Sequence, residues 1–248
     1  MALRTFADGS LFGARFGTEN PRVLALHGWG RTHRDFEPVL SGLNALSIDL
    51  PGFGASPAPA GPGGASMYAK MIEPVLDDCH LPVVVVGHSF GGRVAVHLNE
   101  RRPAAIAGLV LTGVPLLHKA HNHGKIAYQY RLAKFLNRLK LVNDDFIENL
   151  KNKYGSADYR AAEGVMRDIL VTCVNESYDE QLKKIICPVD LIWGDGDTAV
   201  PPEIAARAEA LIDNVRLTIL GNVDHFVPTM APLALKETIQ LQLAALDD

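Results

Sequence analysis

Cysteine is scarce in this sequence: Cys79, Cys173 and Cys187 are the three among 248 residues, and none is close to another. An odd, scattered set supplies neither a disulfide framework nor a CxxC metal or redox site, and it fits a reducing compartment. Long apolar runs are missing too. No segment approaches the roughly 18 to 20 continuous apolar residues that span a bilayer. The opening MALRTFADGS lacks the apolar core of about 7 to 15 residues that a secretion signal requires. Charge of one sign is not in excess: a formal net charge of −4 gives no general attraction to nucleic acid or to an anionic membrane. The expectation is a cytoplasmic protein with no nucleic-acid partner and no membrane span.

What is present is an ordinary globular composition, 48% hydrophobic and 21% charged. A single core in a chain of this length buries about 75% of the surface that the unfolded chain exposes, so neither disulfides nor metals are needed for stability.

Two short alternating stretches, LRTFAD and LFGARFG, flank Asp8-Gly9-Ser10 and read as a hairpin. VLALHG (23–28), ALSID (45–49) and IAGLVLTG (106–113) are apolar runs, and PVVVVG (82–87) is continuous and without alternation. That is the pattern of strands covered on both faces. VDLIWG (189–194) and RLTILG (216–221) read as later strands, with helical patterns at 66–79, 91–102, 203–212 and 233–246. Pro74 is expected to disturb the first of these helices. Between ALSID and that helix lies a Pro/Gly-rich loop reaching about Gly64, which belongs at the surface or at the rim of a site. Strands alternating with helices give an α/β fold class: a mostly parallel central sheet with helices on both faces.

One stretch breaks the alternation. From Leu116 to about Lys184 the pattern is helical, with runs near 125–140, 144–153 and 159–172. Between His118 and Lys153 stand eight Lys/Arg against three Asp/Glu. This segment reads as an insertion lying over one edge of the sheet. His118, His121 and His123 cluster within it, but with no second cluster of acids or cysteines beside them they do not make a metal site.

The chemistry begins at VVVVGHSFGG (83–92). A serine on a sharp strand-to-helix turn is pushed out above the sheet, and the residues two before and two after it must be small. Gly87 and Gly91 meet that demand around Ser89. The Phe90 amide, opening the next helix, then faces the place where a tetrahedral oxyanion would form. A serine hydroxyl is a poor nucleophile at neutral pH; it needs a base, and the base needs an acid to orient it. Two strand ends further on supply them in that order: LIWGDGDTAVP ends in Asp195 and Asp197, and LTILGNVDHFVP ends in His225, which alone among nine histidines follows the last strand. Asp197 is favoured over Asp195, because the turn after Trp193-Gly194 needs residues to bring a carboxylate round. Asp224 is expected to be solvated or to pair locally. In HGWG (27–30), the His-Gly pair lets the backbone turn sharply, so that the Trp29 amide can serve as a second oxyanion donor.

Taken together and in this order, HGWG, DLPGFGAS (49–56), GHSFGG, WGDGDTAVP (193–201) and GNVDHF (221–226) resemble the α/β-hydrolase family over nearly the whole chain. The resemblance implies Ser89 as nucleophile, His225 as base, Asp197 as acid, and the Trp29 and Phe90 amides as the oxyanion hole. It also implies a core formed by 1–115 and 185–248, with 116–184 as an inserted helical cap. In dehalogenases and many epoxide hydrolases of the family an aspartate is the nucleophile; Ser89 argues against both.

The function expected from the resemblance is hydrolysis of a carboxylic ester, or a similar acyl bond, of a small molecule, with no metal or organic cofactor. Alternatives on the same machinery are cleavage of a carbon–carbon bond in a carboxylated ring-cleavage product, elimination in quinone biosynthesis, and lactonase or perhydrolase activity. A hydrolase-like ligand receptor is the alternative from another class. Candidate substrate contacts are His88 and Phe226, which adjoin the nucleophile and the base, together with Tyr128 and Phe135 in the cap. Tyr128, Tyr130, Leu132, Phe135 and Leu136 either line an apolar pocket or form the cap's own core. Arg93 resembles an arginine of members that handle carboxylated substrates; its other expected role is pairing with a surface acid.

Overall fold

The computed structural model describes residues 3–79, 82–118 and 157–246. Eight strands form one sheet: β1 (Arg4–Phe6), β2 (Leu11–Phe16), β3 (Val23–Leu26), β4 (Ala45–Asp49), β5 (Val83–His88), β6 (Ile106–Thr112), β7 (Val189–Gly194) and β8 (Val215–Leu220). Their order is β1-β2-β4-β3-β5-β6-β7-β8. The β1–β2 hairpin and the β2–β4 pair are antiparallel, and the remaining pairs are parallel.

The four valines of β5 show why the central strands have no polar face. Val83 and Val85 belong to one core layer, with Leu24, Leu26, Leu109 and Leu111 from the neighbouring strands. Val84 and Val86 belong to the other, with Val23, Ala25 and Val110. Both sides of the sheet are therefore covered, as a parallel sheet requires. Helices α2 (Ala65–Ile72), α3 (Phe90–Arg101) and α7 (Pro202–Glu209) cover the first layer, through residues such as Tyr68, Leu98 and Ile204. On the second lie α1 (Glu37–Leu40) and α9 (Pro232–Ala244), through Val39, Leu40, Leu235 and Ile239. Strand β8, at the edge, is only partly covered.

Some expected boundaries shift for local reasons. The helix expected over 66–79 runs as an α-helix only to Ile72; Pro74 carries the chain into a 3-10 helix over Glu73–Asp78. The helix expected over 159–172 is two, α4 (Ala157–Ala161) and α5 (Gly164–Cys173). Glu163 is extended and Gly164 has φ +50°, which interrupts the spiral between them. A short α6 (Asp179–Leu182) and an α8 (Val227–Met230) complete the described helices. The runs expected near 125–140 and 144–153 lie outside the described residues. No helix among the described residues is long and apolar enough to cross a membrane.

From β3 the chain moves to β4 on one side and then crosses to β5 on the other. The strand order reverses between β3 and β5, and the crevice beyond the carboxyl ends of the strands at such a point is where α/β sheets bind ligands. HGWG follows β3 and Ser89 follows β5.

Candidate active site

Ser89 sits at φ 49°, ψ −113°, between β5 and α3. A non-glycine residue held at such an angle costs about 1–3 kcal/mol, and it persists only where the surroundings enforce it. Here they do. The Ser89 amide donates to the Thr112 carbonyl at 2.9 Å. A Cβ on Gly87 would come within 3.0 Å of the Gly92 backbone, and one on Gly91 within 3.0 Å of the Leu26 and His27 carbonyls. The demand for small residues on either side of the serine thus comes from backbone packed on backbone. Phe90 opens α3 with no side chain capping the helix, so its amide is among those without an intrahelical acceptor.

HGWG is a turn closed by a 3.2 Å hydrogen bond from the Arg31 amide to the Gly28 carbonyl, with Gly30 at φ +69°. Its close approach to Ser89 depends on Gly28: a Cβ there would stand 3.0 Å from His88 Cδ2 and 3.4 Å from Ser89 Cβ. His27 is fully buried. Its Nε2 accepts from the Leu50 amide at 2.9 Å, and its Nδ1 lies 2.7 Å from the Gly28 carbonyl. Since Nε2 accepts, Nδ1 carries the proton and donates. Burial lowers the His27 pKa to about 4.

On the other side, β7 and β8 deliver an acid and an imidazole. Asp197 is buried; its Oδ1 accepts from the Val200 amide at 2.7 Å, and its Oδ2 lies 2.8 Å from His225 Nδ1. The loop holding the acid is tied back by hydrogen bonds from the Asp195 amide to the Leu220 carbonyl and from the Gly196 amide to the Val223 carbonyl. Trp193 donates its indole N–H to the Val200 carbonyl at 2.9 Å. Asp195 points to solvent. Asp224 pairs locally, accepting from the Phe226 amide at 2.8 Å. Gly113, one residue beyond the carbonyl that holds Ser89, has space for a Cβ only 2.9 Å from the His225 ring and 3.3 Å from Asp197 Oδ2. Ser89, Asp197 and His225 therefore converge on Thr112-Gly113.

His88 is buried, with Nδ1 3.0 Å from the Thr112 carbonyl and its ring centroid 4.9 Å from that of His225. Burial, reinforced by His225, lowers its pKa to about 3. Phe226 is exposed beside both rings, at 5.4 Å from His225 and 6.1 Å from His88, with the Arg31 guanidinium 5.2 Å from its centroid. Among the described residues Arg93 pairs with no surface acid. It is buried, it donates through Nη1 to the Cys173 carbonyl at the end of α5, and it lies 5.8 Å from the Tyr178 ring centroid. Tyr128 and Phe135 lie outside the described residues, as do His121 and His123. Among the described residues no group of His, Cys, Asp and Glu is arranged to hold a metal ion.

Asp49 is a structural centre that sequence reasoning leaves unassigned. The His33 amide and His33 Nδ1 both lie 2.8 Å from its Oδ1, and the Ala55 amide donates to Oδ2 at 3.0 Å. Burial acts to raise its pKa, but the two amides and the His33 ring outweigh it and hold the carboxyl below its usual range. Gly54, at φ +56°, is required there, because a Cβ would strike the carboxylate. The signal was an acid ending β4 just before a Pro/Gly-rich loop.

The profile of the alpha/beta hydrolase family matches residues 23–237. Among curated relatives, a 2-hydroxy-6-oxononadienedioate/2-hydroxy-6-oxononatrienedioate hydrolase of Cupriavidus pinatubonensis is 26% identical, over 82% of this chain and 80% of that protein. A pimeloyl-[acyl-carrier protein] methyl ester esterase of Neisseria meningitidis is 24% identical, over 82% of this chain and 70% of that protein. Among solved structures, a thermophilic esterase from Thermogutta terrifontis shares the fold, with a TM-score of 0.70 at 20% identity over 98% of each chain. With the family profile spanning all but the ends of the chain and the sheet arranged as described, the protein belongs to the alpha/beta hydrolase family of enzymes.

Proposed function

We propose that the protein hydrolyses a carboxylic ester, or a similar acyl bond, of a small molecule through an acyl-enzyme on Ser89. The observation that carries this reading is the strained serine at the end of β5 meeting, at Thr112-Gly113, a histidine whose Nδ1 is bonded to a buried aspartate. With Nδ1 engaged by Asp197, Nε2 is the nitrogen left to act as base. His225 takes the Ser89 proton as Oγ attacks the carbonyl, then returns it to the departing alcohol. Water activated by the same imidazole then releases the acid and restores the serine. The Trp29 and Phe90 amides stabilise the oxyanion; each such donor contributes about 2.7–4 kcal/mol in enzymes where one has been removed. Residues 116–184 form the cap over this site in our reading, and no cofactor takes part.

A second reading rests on similarity to the hydrolase from Cupriavidus, whose named substrates are dienedioates and trienedioates: the same groups would act on a carbon–carbon bond of a carboxylated molecule. Arg93 weighs against it. The arginine of the nucleophile helix donates to the Cys173 carbonyl instead of standing free to bind a carboxylate.

The test is intact mass after exposure to a small fluorophosphonate, with p-nitrophenyl acetate and butyrate hydrolysis followed in parallel, in wild type and Ser89→Ala. One adduct and ester turnover, both lost in the variant, support the ester reading. Labelling without ester turnover moves the assignment to the carbon–carbon reading. A wild type neither labelled nor active favours a hydrolase-like receptor instead.

A further inference from the structure

Phe53 sits in the loop after β4, outside the groups assigned to chemistry, and yet its ring is a corner of a closed triangle with the side chains of both proposed oxyanion donors. The centroid separations are 4.9 Å from Phe53 to Trp29, 5.2 Å from Trp29 to Phe90 and 6.4 Å from Phe53 to Phe90, and every pair meets edge-on. Tyr68 backs Phe90 from the far side at 4.8 Å. Edge-to-face contacts of this kind are directional, so each ring constrains the tilt of the next. Trp29 is half-buried on a turn, whereas Phe90 is fixed as the first residue of a buried helix. The less enclosed of the two donors is therefore Trp29, and Phe53 is the ring that packs it against Phe90.

The loop carrying Phe53 is built to hold a position. Its amide donates to the Leu50 carbonyl at 2.9 Å and its carbonyl accepts from the Ser56 amide at 3.0 Å, while the Ala55 amide is bound by Asp49. The Leu50 amide donates in turn to His27 Nε2, and the Phe53 ring lies 5.7 Å from the His27 ring. Loops 50–57 and 27–30 are thus joined three times, once by a hydrogen bond and twice by rings. On the outer side, a Cβ at Gly52 would meet Met166 of α5.

We propose that Phe53 is a positioning residue: through Trp29 it sets the direction of one oxyanion donor. This rests on the acyl-enzyme reading above. The interaction it supports forms fully only in the transition state, so its loss falls on kcat and leaves KM nearly unchanged.

The test compares wild type, Phe53→Met and Phe53→Tyr. Methionine keeps the volume but lacks a flat edge; tyrosine restores the ring. kcat and KM on p-nitrophenyl butyrate and the Ki of a butyl trifluoromethyl ketone are read together, with the thermal midpoint as a folding control. Phe53→Met should lose roughly 10- to 100-fold in kcat, up to the lower end of the value of one whole donor, with KM within about threefold. The Ki should rise in parallel with the fall in kcat/KM, and Phe53→Tyr should recover most of both. A Phe53→Met protein with a lowered midpoint but wild-type kcat and Ki would overturn the proposal, as would a loss carried by KM alone. If Phe53→Met does not fold, Phe53→Leu under the same measurements decides. Absence of Ser89-dependent turnover in wild type defeats the acyl-enzyme reading and this inference with it; turnover with unchanged variants defeats this inference alone.

Discussion

Asp197 and His225 are 28 residues apart in the chain, and their side chains meet at 2.8 Å between Oδ2 and Nδ1. The loops bearing them leave neighbouring parallel strands on the same edge of the sheet, and backbone hydrogen bonds from Asp195 and Gly196 tie one loop to the other. The pairing is therefore fixed by the backbone before either side chain is placed.

From this pair follows a contrast between two aspartates. Asp197→Asn should lower kcat for an activated ester by about 10⁴-fold, the scale seen when a triad acid becomes an amide and the imidazole takes the wrong tautomer. Asp195→Asn, at an exposed position, should leave kcat almost unchanged. Steady-state kinetics of the two variants decides, and a reversed ranking would move the acid to Asp195.

Gly91→Ala should destabilise the fold. The new Cβ would be driven into the Leu26 and His27 carbonyls, which are backbone atoms of β3 and its exit and have no rotamer by which to yield. Overpacking of this kind costs about 1–3 kcal/mol. Urea unfolding should show that loss. A variant as stable as wild type would mean that the turn is looser than these contacts indicate.

Acid should weaken the protein well above the range where carboxylates titrate. His27 and His88 are held neutral, at about 4 and about 3 against an ordinary 6.5, each chiefly by burial. The unfolded chain binds protons that the folded chain does not, so stability falls as pH drops from about 6.5 towards 4. Each imidazole contributes a slope of up to about 1.4 kcal/mol per pH unit there. Urea midpoints between about pH 7 and pH 5 measure it, and His27→Gln should reduce the slope by its share. A flat profile in wild type would show that these imidazoles protonate without unfolding.

Arg93→Met separates a strut from a substrate anchor. The guanidinium is buried, is donated to the Cys173 carbonyl, and has an Nε with no partner among the described residues. Removing it takes away one of that carbonyl's two donors, the Glu176 amide at 3.2 Å remaining, and should cost about 1.5–3 kcal/mol of stability, the scale of a hydrogen bond from a charged group. The ratio of kcat/KM between a neutral ester and its carboxylated analogue should not change. A selective loss on the carboxylated ester would return Arg93 to substrate binding.

The sheet was largely legible because its strands are covered on both faces: VVVV in β5 and VLAL in β3 carry no polar residue to blur the pattern. The order of the strands was not, since which strands lie side by side depends on crossovers that leave no mark on the strands themselves. Helix ends followed local chemistry where it was strong, as at Pro74, and were missed at Gly164, where a single residue at φ +50° divides a pattern that is helical on both sides. Asp49 shows a different limit. Its partners His33 and Ala55 are ordinary residues in sequence and become ligands of the carboxylate only when a turn and a loop fold over β4.

By itself the sequence determined the α/β class, the small residues around Ser89 and the appearance of a serine, acids and a histidine at successive strand ends, because these depend on periodicity and on local steric limits. Only the tertiary structure decided that Asp197, and not Asp195 or Asp224, reaches His225, that Arg93 turns inward to α5, and that Phe53 closes a triangle with Trp29 and Phe90. Each of these is a contact between segments distant in the chain. Its geometry is set by how whole strands and helices pack, to within an ångström that no local pattern encodes.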